Sequence, residues 1–253
     1  MSEIITAVHG SDGGHWYNPD GSPAYTIIGK NGKERNTTLA DARKHNLRPS
    51  VTDIIKLAAK PGLENWKAEQ ILMSVLTTTR NPLESEAEYL ARIKEDANAQ
   101  ALKARERGTL IHAWVQSGFE NKVLSDEACK YFSSAKDTIL NEIGEVQWTC
   151  ELSFANNRYG GKIDLISESY LIDIKTTDKS LDKATLWDDH YMQLGAYRGV
   201  DSHVICGILY VNSITAESKL ILAEEKEITK GLKCFDALLD FFYAKTGLTF
   251  IKG

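Results

Sequence analysis

Eight consecutive apolar residues, Val204 to Val211 (VICGILYV), constrain this chain more than any other feature. The run has the length of a strand and no polar face, so a strand made from it must be covered on both sides. A sheet layered between helices supplies that cover. The run is also the longest apolar stretch, far short of the roughly 18 residues a membrane helix needs.

The flanking periodicities agree with a layered α/β chain. Ser50 or Thr52 caps a short helix through Ile54, Ile55, Leu57 and Ala58 that stops at Pro61–Gly62. A second helix runs from Leu63 to about Thr77 and carries Trp66, Ile71, Leu72 and Val75 as its apolar residues. Ser85-Glu86-Ala87-Glu88 is a capping box ahead of a long helix to about Val115, with Leu90, Ile93, Ala97, Ala101 and Ala104 on one stripe. Ala128 to Ile143 is a further helix. From Val146 the period becomes two: Trp148, Cys150, Leu152 and Phe154 share one strand face, and Thr149, Glu151 and Ser153 the other. Lys162–Ser167 and Tyr170–Thr176 read as two more strands. A helix over Leu181–Arg198, the 204–211 strand, an edge strand over Leu220–Glu227 and a closing helix over Thr229–Lys245 complete the order. The expected fold is α/β, a central mixed β-sheet flanked by helices. Ahead of it, turn signals at Asn18–Gly21 and Asn31–Gly32 mark small hairpins over residues 8–37. The division is therefore an N-terminal hairpin appendage over 1–48 and a single domain over 49–253, helical over 49–143 and α/β over 144–253.

The chain carries 30 Lys and Arg against 35 Asp and Glu in 253 residues, a net charge of −5. That balance disfavours a partner bound through charge alone. Residues 30–48 depart from it, with a local net charge of +4 from Lys30, Lys33, Arg35, Arg43, Lys44 and Arg48 against Glu34 and Asp41. Cys129, Cys150, Cys206 and Cys234 have no metal-ligand spacing and read as reduced thiols. The N-terminus lacks the pattern of a signal peptide. No G-x-x-x-x-G-K-[ST] loop is present, so no nucleotide-driven motor is expected.

The chemistry concentrates in Gly160-Gly161-Lys162-Ile163-Asp164 and Leu171-Ile172-Asp173-Ile174-Lys175. Asp173 and Lys175 are two apart on a strand and share a face, so two charges emerge at the edge of a hydrophobic strand. Asp164 comes from the preceding strand across a short turn, which brings a second carboxylate near. Adjacent carboxylates repel, and a hard divalent cation neutralises them; oxygen ligands favour Mg²⁺ or Mn²⁺ over zinc. The bland alternative is an exposed Asp–Lys surface pair.

Five elements in order resemble the PD-(D/E)XK nuclease superfamily, in the branch of RecB-type and lambda-exonuclease-like enzymes. They are G-x-x-x-H at Gly108–His112, the strand glutamate Glu151, G-x-x-D at Gly161–Asp164, D-x-K at Asp173–Lys175 and Q-x-x-x-Y at Gln193–Tyr197. The resemblance spans about Ser50 to Val211 and implies a restriction-endonuclease-like core. It implies a Mg²⁺-dependent DNA exonuclease of recombination, repair or replication, with Mn²⁺ able to substitute. Asp164, Asp173, Lys175, Glu151, Gln193 and Tyr197 would be catalytic, and His112, Asp164 and Asp173 would hold the metal. Ser50 and Thr52, at a helix start, together with Arg105 and Lys179, would contact DNA; simple helix capping is the alternative for Ser50. Gly108 would open space beside His112, and Trp66 and Trp114 are read as core aromatics. The cysteines do not match the iron–sulfur pattern of some relatives, so no cluster is expected. An endonuclease on the same fold and a non-catalytic DNA-binding recombination partner are the alternatives. A single-strand annealing or recombination protein would be the natural protein partner, and the cytoplasm of a bacterium or a phage-infected host the natural location. Oligomeric state stays open.

Overall fold

The computed structural model describes residues 14–199 and 203–249. The expectations for the first 13 residues, including the signal-peptide reading, lie outside them. The chain begins with β1 (Trp16–Tyr17), β2 (Thr26–Ile28), β3 (Glu34–Asn36), α1 (Leu39–His45), β4 (Arg48–Pro49) and α2 (Val51–Ile55). Three long helices follow: α3 (Pro61–Thr77), α4 (Glu86–Phe119) and α5 (Asp126–Ile143). Then come β5 (Thr149–Ala155), β6 (Gly160–Ile166), β7 (Tyr170–Thr177), α6 (Asp188–Arg198), β8 (Ile205–Asn212), β9 (Ser218–Leu222) and α7 (Glu225–Thr246).

Strands β5 to β9 form one mixed sheet in sequence order. Only β7 and β8 are parallel, joined through α6. The apolar run is β8, buried from Cys206 to Asn212 between β7 and β9. One face of the sheet packs Ile172, Ile174, Leu209 and Val211 against Ile111 and Val115 of α4 and Ile139 of α5. The other packs Leu171 and Ile208 against Ile54 of α2, Leu194 of α6, and Phe235 and Leu239 of α7. Burying such side chains contributes about 1.5–3 kcal/mol each. The layered α/β architecture read from the sequence is therefore the observed one.

Several boundaries differ from the periodicity. The stretch before α6 is a single 3₁₀ turn at Leu181–Lys183, and the helix starts at Asp188, where Asp188 and Asp189 sit in its first turn. The edge strand is Ser218–Leu222, and α7 begins at Glu225 with Glu225 and Glu227 in its first turn, where acids favour the helix dipole. Strand β7 lies between β6 and β8, and its pairing with β6 ends at Ile172, ahead of Asp173 and Lys175. At the N-terminus, Asn31–Gly32 does turn the β2–β3 hairpin, but β1 pairs with β4 rather than with a neighbour in sequence. Trp16 packs near Leu248 and Phe242, which ties this segment to the C-terminal helix.

The helix α3 inverts expectation. Among its described side chains the buried one is polar, Ser74, whose hydroxyl donates to Asp96 Oδ2 (2.7 Å) and Ile93 O (3.1 Å) of α4. Trp66, read as a core aromatic, is 38% exposed, and Ile71, Leu72 and Val75 are exposed as well. Trp114 does pack against the core, with the Arg107 guanidinium stacked on its ring.

Candidate active site

The site is built where the sheet opens. Strands β6 and β7 pair only at Leu165–Ile172 and Ile166–Leu171. Beyond that the Asp164 carboxylate accepts the backbone N–H of Ile174 at 2.7 Å. A side chain thus completes the bonding that the ladder abandons, and it is fixed by backbone rather than by a mobile partner. The same Asp164 Oδ2 lies 2.8 Å from His112 Nε2 of α4.

Helix α4 comes this close because of Gly108. A Cβ there would sit 2.6 Å from Thr176 Oγ1, so the glycine admits the end of β7. The space opened by Gly108 is taken by Thr176 rather than left beside the imidazole. Gly161 does the same for Tyr197, whose ring carbon would be 2.8 Å from an added Cβ.

A second group assembles on β7 and α6. Asp173 is 2% exposed. Its Oδ1 accepts from Gln193 Nε2 at 2.8 Å, and its Oδ2 lies 2.6 Å from Lys175 Nζ. Lys175 also donates to Gln193 Oε1 at 2.9 Å, and Gln193 Nε2 reaches Tyr197 Oη at 3.0 Å. Gln193 and Tyr197 are one turn apart on α6, which aligns them on one face. Asp173 Oδ2, although in ion-pair contact, receives no hydrogen bond of good geometry. A surface pair, the bland alternative, is excluded by that burial.

Glu151 is held in an unusual way. The register that pairs Cys150 with Leu165 and Leu152 with Ile163 sets it opposite Asp164, yet it drops out of the ladder with φ +54°. A non-glycine residue in that region carries strain of order 1–3 kcal/mol, a feature that clusters at functional sites. Its carboxylate forms an ion pair with Lys162 and lies 3.8 Å from His112 Nδ1. Ligand atoms of His112, Glu151 and Asp164 all lie within 4.8 Å of one another. Asp173, expected beside Asp164 as a ligand, is turned toward Lys175 and Gln193 instead.

Burial and charge set the protonation states. Burial, reinforced by the Asp164 charge, pushes the Asp173 carboxyl up to about 6 even with Lys175 beside it. Burial acts the same way on Asp164, but the His112 imidazole, its hydrogen bond and the Ile174 N–H outweigh it and hold that carboxyl below the usual range. His112 and Lys175 are both raised: burial opposes their charge, and Asp164 and Asp173 respectively overcome it. Two neighbouring carboxylates shifted in opposite directions, one lowered and one raised, mark a candidate functional site.

These groups line an open cleft of about 770 Å³ with Thr52, Arg105, Thr176 and Lys162. Residues that the sequence reading missed complete the wall: His15, and Tyr17 with its hydroxyl 2.7 Å from that of Tyr25. Lys162 was legible, being two residues before Asp164 on one strand. Of the expected DNA contacts, Thr52 and Arg105 line the cleft. Ser50 is 2% exposed and its hydroxyl accepts the Asp53 N–H at 3.1 Å, so it serves as the α2 cap. Lys179 is exposed but outside the cleft lining. The basic segment is largely engaged in structure: Arg35 pairs with Asp41 at 2.7 Å, Arg43 donates to Thr246 O, and Arg48 is buried and donates to Asn46 O and Asn156 O. Arg107 likewise pairs with Glu127. A larger cavity of about 830 Å³ between Pro61, Trp187 and α7 contains none of the clustered carboxylates. No helix of the described residues is long and apolar enough to cross a membrane.

No family model matches the chain, and no curated protein matches it. Among solved structures, an alkaline exonuclease from Laribacter hongkongensis is 13% identical, with 79% of this chain and 93% of that one covered and a TM-score of 0.36. A candidate exonuclease from Eubacterium rectale is also 13% identical, covering 56% of this chain and 69% of that one at a TM-score of 0.37. Similarities this low leave the chemistry of the cleft to be read from its own residues.

Proposed function

We infer that the chain is a metal-dependent deoxyribonuclease that hydrolyses phosphodiester bonds from DNA ends. The observation that carries this reading is the pairing of two buried carboxylates, Asp164 and Asp173, with a lysine 2.6 Å from the second and an imidazole 2.8 Å from the first, in an open cleft. The donor set suits a divalent cation: one imidazole and two carboxylates within mutual reach. His112, Glu151 and Asp164 would hold Mg²⁺, with Asp173 joining them on turning from Lys175 and with Mn²⁺ able to substitute. A bound ion of this kind polarises a phosphate oxygen and acidifies a coordinated water.

The remaining work falls to side chains of the chain itself. Gln193 bridges Asp173 and Lys175, so it fixes the ammonium relative to the carboxylate. Held there, Lys175 orients the attacking water and stabilises charge developing on the phosphate. Tyr197, packed on Gly161, keeps Gln193 in register. Thr52 and Arg105 reach the strand's phosphates from the cleft wall. The preference for ends rests on the resemblance of the His112 and Gln193–Tyr197 motifs to the branch of RecB-type and lambda-exonuclease-like enzymes.

The test is digestion of linear DNA carrying a label at either end, in Mg²⁺ and in EDTA, with covalently closed circular DNA alongside. Mg²⁺-dependent release of short products from linear DNA only is expected. Cutting of the closed circle would replace the exonuclease reading with an endonuclease, and no cleavage in any form would end the enzyme reading.

A further inference from the structure

We propose that Lys162 is an exchangeable counter-ion, which gives up Glu151 to the divalent cation and turns its ammonium to a DNA phosphate in the cleft. The inference rests on the nuclease reading of the cleft and adds a coupling to it: cation and DNA each bind more tightly in the presence of the other, through this one side chain. Four charged groups stand in succession along the cleft. Lys162 pairs with Glu151, Glu151 lies 3.8 Å from His112 Nδ1, and His112 Nε2 lies 2.8 Å from Asp164 Oδ2. Three of them are the candidate metal donors. Lys162 has the same sign of charge as a cation held by those donors, so the ammonium and the cation draw on one carboxylate.

The way each member is held says which one moves. Asp164 is fixed by the Ile174 N–H, and Glu151 by its own backbone at φ +54°, where the β5–β6 ladder skips it. Glu151 therefore keeps its place without the ammonium. Lys162 stands two residues before Asp164 on β6, so the two side chains leave the sheet on the same face. Its backbone is paired with Ser153, and the flexible stem beyond is the part left to turn. The Lys162 side chain is 39% exposed against 17% for Glu151. A partly exposed pair made by a flexible lysine is weakly held. Once off Glu151, the ammonium stays in the cleft, beside Arg105, where a phosphate is the natural next partner. Lys175 is a different case, since Asp173 and Gln193 both hold it.

Two titrations on the full chain test this. In calorimetry with Mn²⁺ and no DNA, Lys162→Met should bind the ion about tenfold more tightly than wild type, because the competing charge is gone. Lys162→Arg keeps the charge and should bind as wild type does. In fluorescence anisotropy with a short labelled duplex, Lys162→Met should weaken binding about tenfold in Ca²⁺, which takes the same oxygen donors, and less than about twofold in EDTA. The slope of log affinity against log salt should shrink by about 0.9, one phosphate contact, in Ca²⁺ alone. Lys162→Arg should restore both the affinity and the slope. Equal losses in Ca²⁺ and EDTA would make Lys162 an ordinary phosphate contact and overturn the proposal. Weaker or unchanged Mn²⁺ binding by Lys162→Met also overturns it, because the lysine would then serve to place Glu151 or stand apart from the ion. Those results leave the nuclease reading standing, whereas a wild-type chain that binds no Mn²⁺ would overturn both.

Discussion

Asp173→Asn is expected to destroy function and stabilise the fold. In the folded chain the Asp173 carboxyl is pushed from 3.8 up to about 6, first by burial and then by the charge of Asp164. A carboxyl raised on folding contributes stability below its unfolded value, and that contribution is lost as pH rises through the folded value. At pH 7 the ionised Asp173 therefore weighs against folding. About two pKa units at 1.36 kcal/mol each give about 3 kcal/mol, already net of the attraction to Lys175. Asparagine resembles the protonated acid in shape and can still accept from Gln193 Nε2. The variant should melt about 6–12 °C above wild type at pH 7 in EDTA, at 2–4 °C per kcal/mol for a chain of this size. The gain should fade as pH falls, to about 0.5 kcal/mol near pH 4, where the folded residue is protonated and the unfolded one about half ionised. Thermal unfolding by circular dichroism at pH 7, 5.5 and 4 reads all three points. A variant less stable than wild type at pH 7, or a gain independent of pH, would refute the reasoning.

Other perturbations separate roles that look alike in sequence. His190 is pushed down to about 4, mainly by burial, so its neutral form stabilises the fold above 6.5 and that stability drains as pH falls toward 4. Between pH 7 and pH 5 the loss should be about 2 kcal/mol, and His190→Gln should remove that slope in urea titrations. Gly108→Ala should cost about 1–3 kcal/mol by driving α4 off Thr176, and Thr176→Ala should recover part of it in a double-mutant cycle. Ser50→Ala should lower stability by about 1 kcal/mol as a lost cap and leave DNA affinity intact. Arg105→Ala should instead weaken DNA binding and reduce its salt dependence without changing the melt.

How much of this was legible depended on whether a feature is local. The β8 run required cover on two faces, and helices supply it. Gln193 and Tyr197 were readable as a pair because i, i+4 spacing aligns them on any helix. The burial of Asp173 was not readable, because alternation assigns a face without saying what lies against it. The same gap explains α3: its apolar stripe is present, but periodicity does not tell which side meets α4. Glu151 looks like an ordinary strand residue, and its φ of +54° arises only where the β5–β6 ladder skips it. The segment from Lys30 to Arg48 stands out in the sequence for its local charge of +4; its arginines mostly tie the N-terminal segment to itself and to the rest of the chain. The cations that line the cleft are Lys175, Arg105 and Lys162, in a chain whose net charge is −5.

The most direct test removes the lysine that the whole network positions. Lys175→Met keeps the length and apolar body of the side chain and deletes its charge. With linear end-labelled DNA, wild type should release labelled products in Mg²⁺ and none in EDTA, and the variant should fall by about 10²-fold or more in kcat while its melt shows a folded chain. Full activity of the variant in Mg²⁺, or undiminished cleavage by wild type in EDTA, would contradict a metal-dependent nuclease built around Asp164, Asp173 and Lys175.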